Sequence, residues 1–205
     1  MTHPPAAAVI VPIRGFEGGK QRLGPPLDAG ERAALLRSMA ERVVLAAGAL
    51  PVAVVSGARE VRAWAASFGL VLLEEPGSLN QAAVSGVRWA ASQGIARAVV
   101  AHADLPLATT LGPLARDGSL PIVAAVPCHR DDGTPVLSIP TESSFTFAYG
   151  PGSFRRHAAE ARRLRLGFRV VRDPSLARDL DIPADMAGLP LLGEPDGPER
   201  ASALG

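Results

Sequence analysis

Short apolar runs alternate with helix-like segments from residue 7 to residue 126, and no other feature of this chain restricts its fold so strongly. The runs cover residues 7–13, 52–56, 70–73, 98–101 and 122–126, and the segments between them are 31–47, 60–68, 79–92 and 111–116. In 31–47, Ala34, Leu35, Met39, Val43 and Leu45 fit one helical face, with Arg32, Arg37 and Arg42 elsewhere. Strand and helix in strict alternation predict a largely parallel sheet covered on both faces. Such sheets bind ligands in the loops at the carboxyl ends of their strands. With 205 residues and 47% hydrophobic content, the chain has material for one such core and is too apolar to be disordered. Its apolar runs are too short to span a bilayer.

The first of those loops contains Arg14, Gly15, Gly18, Gly19, Lys20 and Arg22. Glycines let backbone N–H groups converge on an anion, and the three cations supply charge. The spacing is neither GxxxxGK[ST] nor GxGxxG. Of the 21 basic residues, Lys20 is the single lysine. In a chain rich in Ala, Gly and Pro that otherwise uses arginine throughout, a compact ammonium in a glycine-rich loop suits contact with phosphate.

The run 98–101 leads into His102-Ala103-Asp104-Leu105-Pro106, which places a carboxylate at a strand end where it can hold a hard divalent cation. A helix cap or turn aspartate is the alternative for Asp104 alone. Asp179-Leu180-Asp181 adds a second acidic element, its alternate residues on one side if extended. His102 is read as supporting the site more often than touching a ligand. Gly150-Pro151-Gly152-Ser153 precedes a helix over 154–166, with Ser153 as its cap. A phosphate would find free N–H groups and the helix dipole there, and the alternative is a capped helix that binds nothing. Residues 135–139, 144–149 and 168–171 have strand character, so the second half reads as a smaller β-containing lobe on the substrate side.

One cysteine, Cys128, excludes an internal disulfide framework and a CxxC zinc site. A net charge of +1 is far from the basic balance of a nucleic-acid-binding domain. No signal peptide is visible, so the expected location is the cytoplasm.

Taken in order, VPIRGFEGGKQRL, ERAALLRSMAERVV, GSLNQA, HADLP, DGT, FAYGPGSFRRH and DLDIPADM resemble the CofC/FbiD guanylyltransferases of coenzyme F420 biosynthesis, over residues 8–187. The family is similar to the molybdenum-cofactor guanylyltransferases. The resemblance implies an α/β, three-layer Rossmann-like nucleotidyltransferase fold, with a mixed, mostly parallel sheet, helices on both faces and the small β-containing substrate lobe. It implies a single domain over 1–189, with a nucleotide half over about 7–126 and an acceptor and metal half over about 127–189. An irregular tail follows over 190–205.

The implied reaction transfers GMP from GTP to the phosphate of phosphoenolpyruvate and releases pyrophosphate. The alternatives are 2-phospho-L-lactate, 3-phosphoglycerate, or a relative that only binds nucleotide. Carried over, Arg14, Lys20, Arg22 and Asn80 receive the nucleotide, and Asp104 and Asp181 hold Mg2+. Thr134, Gly150 and Ser153 hold the acceptor, and Lys20 and Asp104 are the catalytic pair. The expected partners are small molecules and, at most, a second copy of the chain, with neither nucleic acid nor membrane. The chain departs from the family's DGTGTNAL pattern at DDGTPVLS, where Asp132 replaces a usual threonine and Pro135 a usual asparagine.

Overall fold

The computed structural model describes residues 5–23, 27–74, 77–181 and 183–186, with the side chain of Arg22 outside that set. The apolar runs become β1 (Ala7–Pro12), β2 (Val52–Val55), β3 (Val71–Leu73), β4 (Arg97–Ala101) and β5 (Ile122–Val126). Beyond them lie β6 (Val136–Pro140) and β7 (Gly167–Val170). All seven form one sheet in the order β3-β2-β1-β4-β6-β5-β7. β6 runs antiparallel between β4 and β5, and the other pairings are parallel. The strands of the second half therefore extend the main sheet, and the expected lobe has no sheet of its own among the described residues.

Helices α1 (Ala29–Ala46), α2 (Arg59–Ser67) and the short α4 (Gly112–Ala115) pack on one face, and α3 (Leu79–Ser92) and α5 (Ser153–Arg163) on the other. Strand alternation sorts the core accordingly. Val9, Val11, Val54 and Val99 meet Val43 and Trp64 on the first face. Ala8, Ile10, Ala53 and Val100 meet Ala83, Ala90 and Ala161 on the second. A short α6 (Pro174–Ala177) follows β7.

Local chemistry sets the boundaries. α1 and α3 start at capping boxes, Asp28 with Glu31 and Ser78 with Gln81. A Cβ on Gly86 would lie 2.1 Å from Cγ2 of Ile10, so this glycine is what lets α3 close on β1. No helix among the described residues is long and apolar enough to cross a membrane.

Residues 144–149 form no strand, contrary to the sequence expectation. The alternation itself is real, because Phe145 and Phe147 are buried. The ladder is missing because side chains take the backbone donors. The Thr146 N–H donates to Glu160 Oε1 (2.9 Å), Ala148 to His157 Nε2 (3.1 Å) and Tyr149 to Asn80 Oδ1 (2.8 Å).

Arg97 is fully buried on β4. Its guanidinium donates to the carbonyls of Gly118 (2.8 Å), Leu120 (2.8 Å) and Ile122 (3.0 Å) and to Ser138 Oγ (3.1 Å). One cation thus fastens the turn before β5 to the sheet centre. Arg97→Met fills similar volume but leaves the carbonyls of Gly118 and Ile122 without a donor, while that of Leu120 keeps the Ile122 N–H, at a cost of about 1–3 kcal/mol for each acceptor left unsatisfied. Chemical denaturation should show a loss of roughly 2 kcal/mol or more. A variant within about 0.5 kcal/mol of the parent would show that this cluster contributes nothing net.

Candidate active site

Chain order places β2 and β3 on one side of β1 and β4 on the other, so the loops after β1 and β4 part at the carboxyl edge. A crevice opens at such a point. Here it is a cleft of about 370 Å3, lined by Arg14, Lys20, Ser78, Leu79, His102 and Asp104 among others.

Phe16 anchors the loop after β1. It is buried edge-on to Trp64, with ring centroids 5.4 Å apart, and its N–H donates to Glu60 Oε1 (3.1 Å). The loop ends at Lys20, whose φ of 48° lies in the left-handed region. A non-glycine residue held there marks a site where the surroundings over-determine the backbone. From that conformation the ammonium reaches Asp104 Oδ2 (2.5 Å) and also bonds Asp181 Oδ1. Leu180 brings the acidic pair across. It is buried with Leu23 and Met39, and its N–H donates to the Asp104 carbonyl (3.2 Å), which leaves Asp179 and Asp181 flanking Asp104.

Burial is the largest influence on Lys20 and lowers its pKa, but Asp104 and Asp181 together outweigh it and hold the ammonium above its ordinary value. For Asp104 burial acts upward, and Lys20 with His102 overcomes it, so the carboxyl lies below its usual range. Asp179 goes the other way, raised by burial and then by its neighbours Asp104 and Asp181. One ammonium against three carboxylates leaves the cluster acidic. Asp104 Oδ1 and Asp179 Oδ1 are buried without a hydrogen-bond partner among the described residues. His129 Nδ1 is 3.4 Å from the latter without hydrogen-bond alignment. Carboxylate oxygens left in this state fit a hard cation. No three His, Cys, Asp or Glu side chains converge as a ready-made cage among the described residues. Mg2+ needs no such cage, because it takes one or two carboxylates and completes its shell with water and phosphate.

Asp185 escaped the sequence reading. It is buried, and its Oδ2 accepts from the Asp181 N–H (2.8 Å) while Oδ1 accepts from Arg130 (2.7 Å). It therefore fixes the loop that presents Asp181. It stands in the DLDIPADM stretch four residues after Asp181, with no role given to it there. Tyr149 was also missed. Its ring lies 5.2 Å from that of His102, and Tyr149 Oη and His102 Nε2 are buried with no partner among the described residues.

The remaining expected residues divide. Arg14 is exposed on the cleft wall. Arg22 lies in the turn Gln21–Leu23, its side chain outside the described set. Asn80 sits at the start of α3 and commits its Oδ1 to Tyr149, which ties α3 to the 144–149 segment. Thr134 and Ser153 do meet, with hydroxyl oxygens 3.2 Å apart, but both are buried. Gly150, at φ 110°, makes the turn beside them. Ser153 is not the cap of α5. Gly152 is, at φ 74°, and Ser153 is the first helical residue. Nor is the start of α5 free, because Asp132 Oδ1 accepts from the Gly152 N–H (2.7 Å) and the Asp132 carbonyl from Phe154 (3.2 Å). The aspartate that departs from the family pattern supplies the anion that this helix end favours.

A family model described as "Guanylyl transferase CofC like" matches residues 7–198. The chain belongs to the CofC-like guanylyltransferases. Among its relatives is the phosphoenolpyruvate guanylyltransferase of Rubrobacter xylanophilus, 36% identical over 90% of this chain and 93% of that one. The 2-phospho-L-lactate guanylyltransferase of Methanothermobacter thermautotrophicus is 31% identical, covering 90% and 84%. The 3-phospho-D-glycerate guanylyltransferase of Phenylobacterium zucineum is 34% identical, covering 87% of each. A nucleotidyl transferase structure from Methanothermobacter thermautotrophicus superposes with a TM-score of 0.59 at 17% identity, covering 87% of this chain and 93% of that one. This CofC-like guanylyltransferase therefore has the nucleotidyltransferase fold.

Proposed function

We propose that this CofC-like guanylyltransferase joins GTP to phosphoenolpyruvate in the cytoplasm, in the pathway to coenzyme F420. An oxygen of the acceptor phosphate attacks the α-phosphorus of GTP, and the bond to the β-phosphate oxygen breaks. Its electron pair leaves with pyrophosphate. The observation that carries the reading is the Lys20–Asp104–Asp181 cluster at the mouth of the cleft. Phosphoenolpyruvate is preferred as acceptor because the relative at 36% identity carries that name, and 2-phospho-L-lactate and 3-phosphoglycerate remain the alternatives.

An acceptor phosphate needs no general base, since its second pKa is roughly 6 and it is already largely ionised at neutral pH. The obstacle is repulsion between two polyanions. Lys20, with Arg14 and Arg22, neutralises the triphosphate, and Lys20 is also in reach of both carboxylates. Asp104 and Asp181, with Asp179 alongside, would hold Mg2+, which when bound screens phosphate charge and stabilises charge developing on the phosphoryl oxygens. Asp185 keeps Asp181 in place.

The test is purified protein with Mg2+ and GTP, offered each of the three acceptors, with pyrophosphate release as the readout. Phosphoenolpyruvate should give the highest kcat/KM. Release with none of them would overturn the reading in favour of a protein that only binds nucleotide.

A further inference from the structure

His157, on α5, is fully buried and lies outside the metal and nucleotide cluster. Its ring is enclosed by Phe145, Phe147 and Tyr149, the last packed edge-on with centroids 4.9 Å apart. Both ring nitrogens have partners. Nε2 lies 3.1 Å from the Ala148 nitrogen, and Nδ1 lies 3.1 Å from Thr134 Oγ1.

The direction of these bonds is forced. A backbone N–H can only donate, so Nε2 must be the bare, accepting nitrogen. The ring proton of a neutral imidazole then sits on Nδ1 and is donated to Thr134 Oγ1. An imidazolium would set N–H against N–H at Ala148. Burial, with Arg156 next in importance, pushes the His157 pKa down to about 4, which agrees with a neutral ring.

The chain continues from Thr134 to Ser153, whose hydroxyl oxygens are 3.2 Å apart. The two hydroxyls have two protons, and their mutual bond uses one. Whichever hydroxyl donates, one proton finds no acceptor among the described residues. A buried donor in that state wants an oxygen from elsewhere. The place is relevant, because Thr134 directly precedes Pro135, whose carbonyl accepts from the His102 N–H (2.9 Å). The hydroxyl pair therefore ends one strand away from Asp104.

We propose that His157 is a positioning residue for the acceptor. By holding the Nδ1–H tautomer it makes the Thr134–Ser153 hydroxyl pair a hydrogen-bond donor toward an ionised oxygen of the three-carbon phosphate. With the other tautomer the pair could spend its proton on Nδ1, and the spare donor would be lost. This inference rests on the proposed function above for the identity of the acceptor, but not for the tautomer.

Two variants separate the ring's two ends. His157→Asn places an amide near the Nδ1 position and can still donate to Thr134. His157→Gln reaches the Nε2 position and keeps only the contact with Ala148. The asparagine variant should keep its KM for phosphoenolpyruvate within about threefold of the parent. The glutamine variant leaves the Thr134 oxygen without the donor that fixes which way the pair's spare proton points, and should raise that KM about tenfold, with KM for GTP within about twofold. Equal acceptor KM values in the two variants, or equal shifts for GTP and acceptor, would overturn the proposal.

Long-range proton–nitrogen spectra of the unmodified protein give a second readout that needs no variant to fold. His157 should show a protonated Nδ1 and a bare Nε2 at pH 7, and both resonances should move when phosphoenolpyruvate and GTP are added together. A protonated Nε2, or resonances indifferent to the acceptor, would overturn it. Failure of the unmodified protein to use phosphoenolpyruvate at all would strike the acceptor assignment, and the tautomer would then be judged by the spectra alone.

Discussion

Asp104→Asn is expected to lower turnover by a few hundredfold or more with little change in fold. The substitution keeps the shape of the side chain and removes the charge. Asp104 is the carboxylate closest to the strand end, bonded to Lys20 through Oδ2, with Oδ1 buried and unpartnered among the described residues. Removing a principal charge stabiliser at a phosphoryl-transfer centre costs on the order of 3–4 kcal/mol, which is the stated loss in rate. Asp181→Asn should behave in the same way, since Asp181 makes the second bond to Lys20. Rates are to be measured across a Mg2+ titration, because weaker metal binding raises the Mg2+ requirement before it abolishes turnover. If both variants kept the parent's rate and Mg2+ dependence, the assignment of these two aspartates would be wrong.

Lys20→Met should be comparably damaging and should also alter the pH dependence of stability. In activity, kcat/KM for GTP is expected to fall by about a hundredfold or more, and Lys20→Arg should recover only part. A planar guanidinium cannot sit as a point charge between Asp104 and Asp181 while the backbone holds its left-handed turn. In stability, the sign follows from the direction of each shift. Asp104 is depressed in the folded protein, so its contribution is present above its unfolded value of about 3.9 and is lost as pH falls through the lower folded value. Lys20 is raised, so its contribution is present below its unfolded value of about 10.4 and is lost as pH rises through the higher folded value. The pair therefore stabilises across the neutral range. The gap in melting midpoint between parent and Lys20→Met should be widest near pH 7 and close at either extreme. A gap independent of pH would mean that the ion pair is not its source.

Most of the frame could be read from residue order. The alternation of apolar runs and helical faces foretold the five strands β1–β5 and the helices α1–α3. For α3 the serine and glutamine of its capping box mark the start directly. Asp104 at the end of β4 and the alternating Asp179 and Asp181 were also legible, because both depend on local periodicity. The long-range part was not. Lys20 was expected to serve phosphate alone, yet it bonds carboxylates 84 and 161 positions away, and no local pattern encodes that meeting. The segment 144–149 looked like a strand because burial alternates along it, whereas the identity of its hydrogen-bond partners depends on where α5 and Asn80 come to lie. Asp132 appeared only as a departure from the family pattern. Its hold on the Gly152 N–H at the start of α5 becomes visible once the turn before β6 is folded against that helix.

The position of β6 has a consequence for the growing chain. β4 is complete at Ala101, but the strand that covers its outer side starts only at Val136. During synthesis the sheet β3-β2-β1-β4 can assemble with one flank open, and that flank is an apolar edge of the kind that recruits foreign strands. Arg97 stands at the first position of that edge. A residue that ends as a sealed internal cation thus spends the interval as a solvated charge on an open border, where it discourages pairing with another molecule until the chain's own strand arrives.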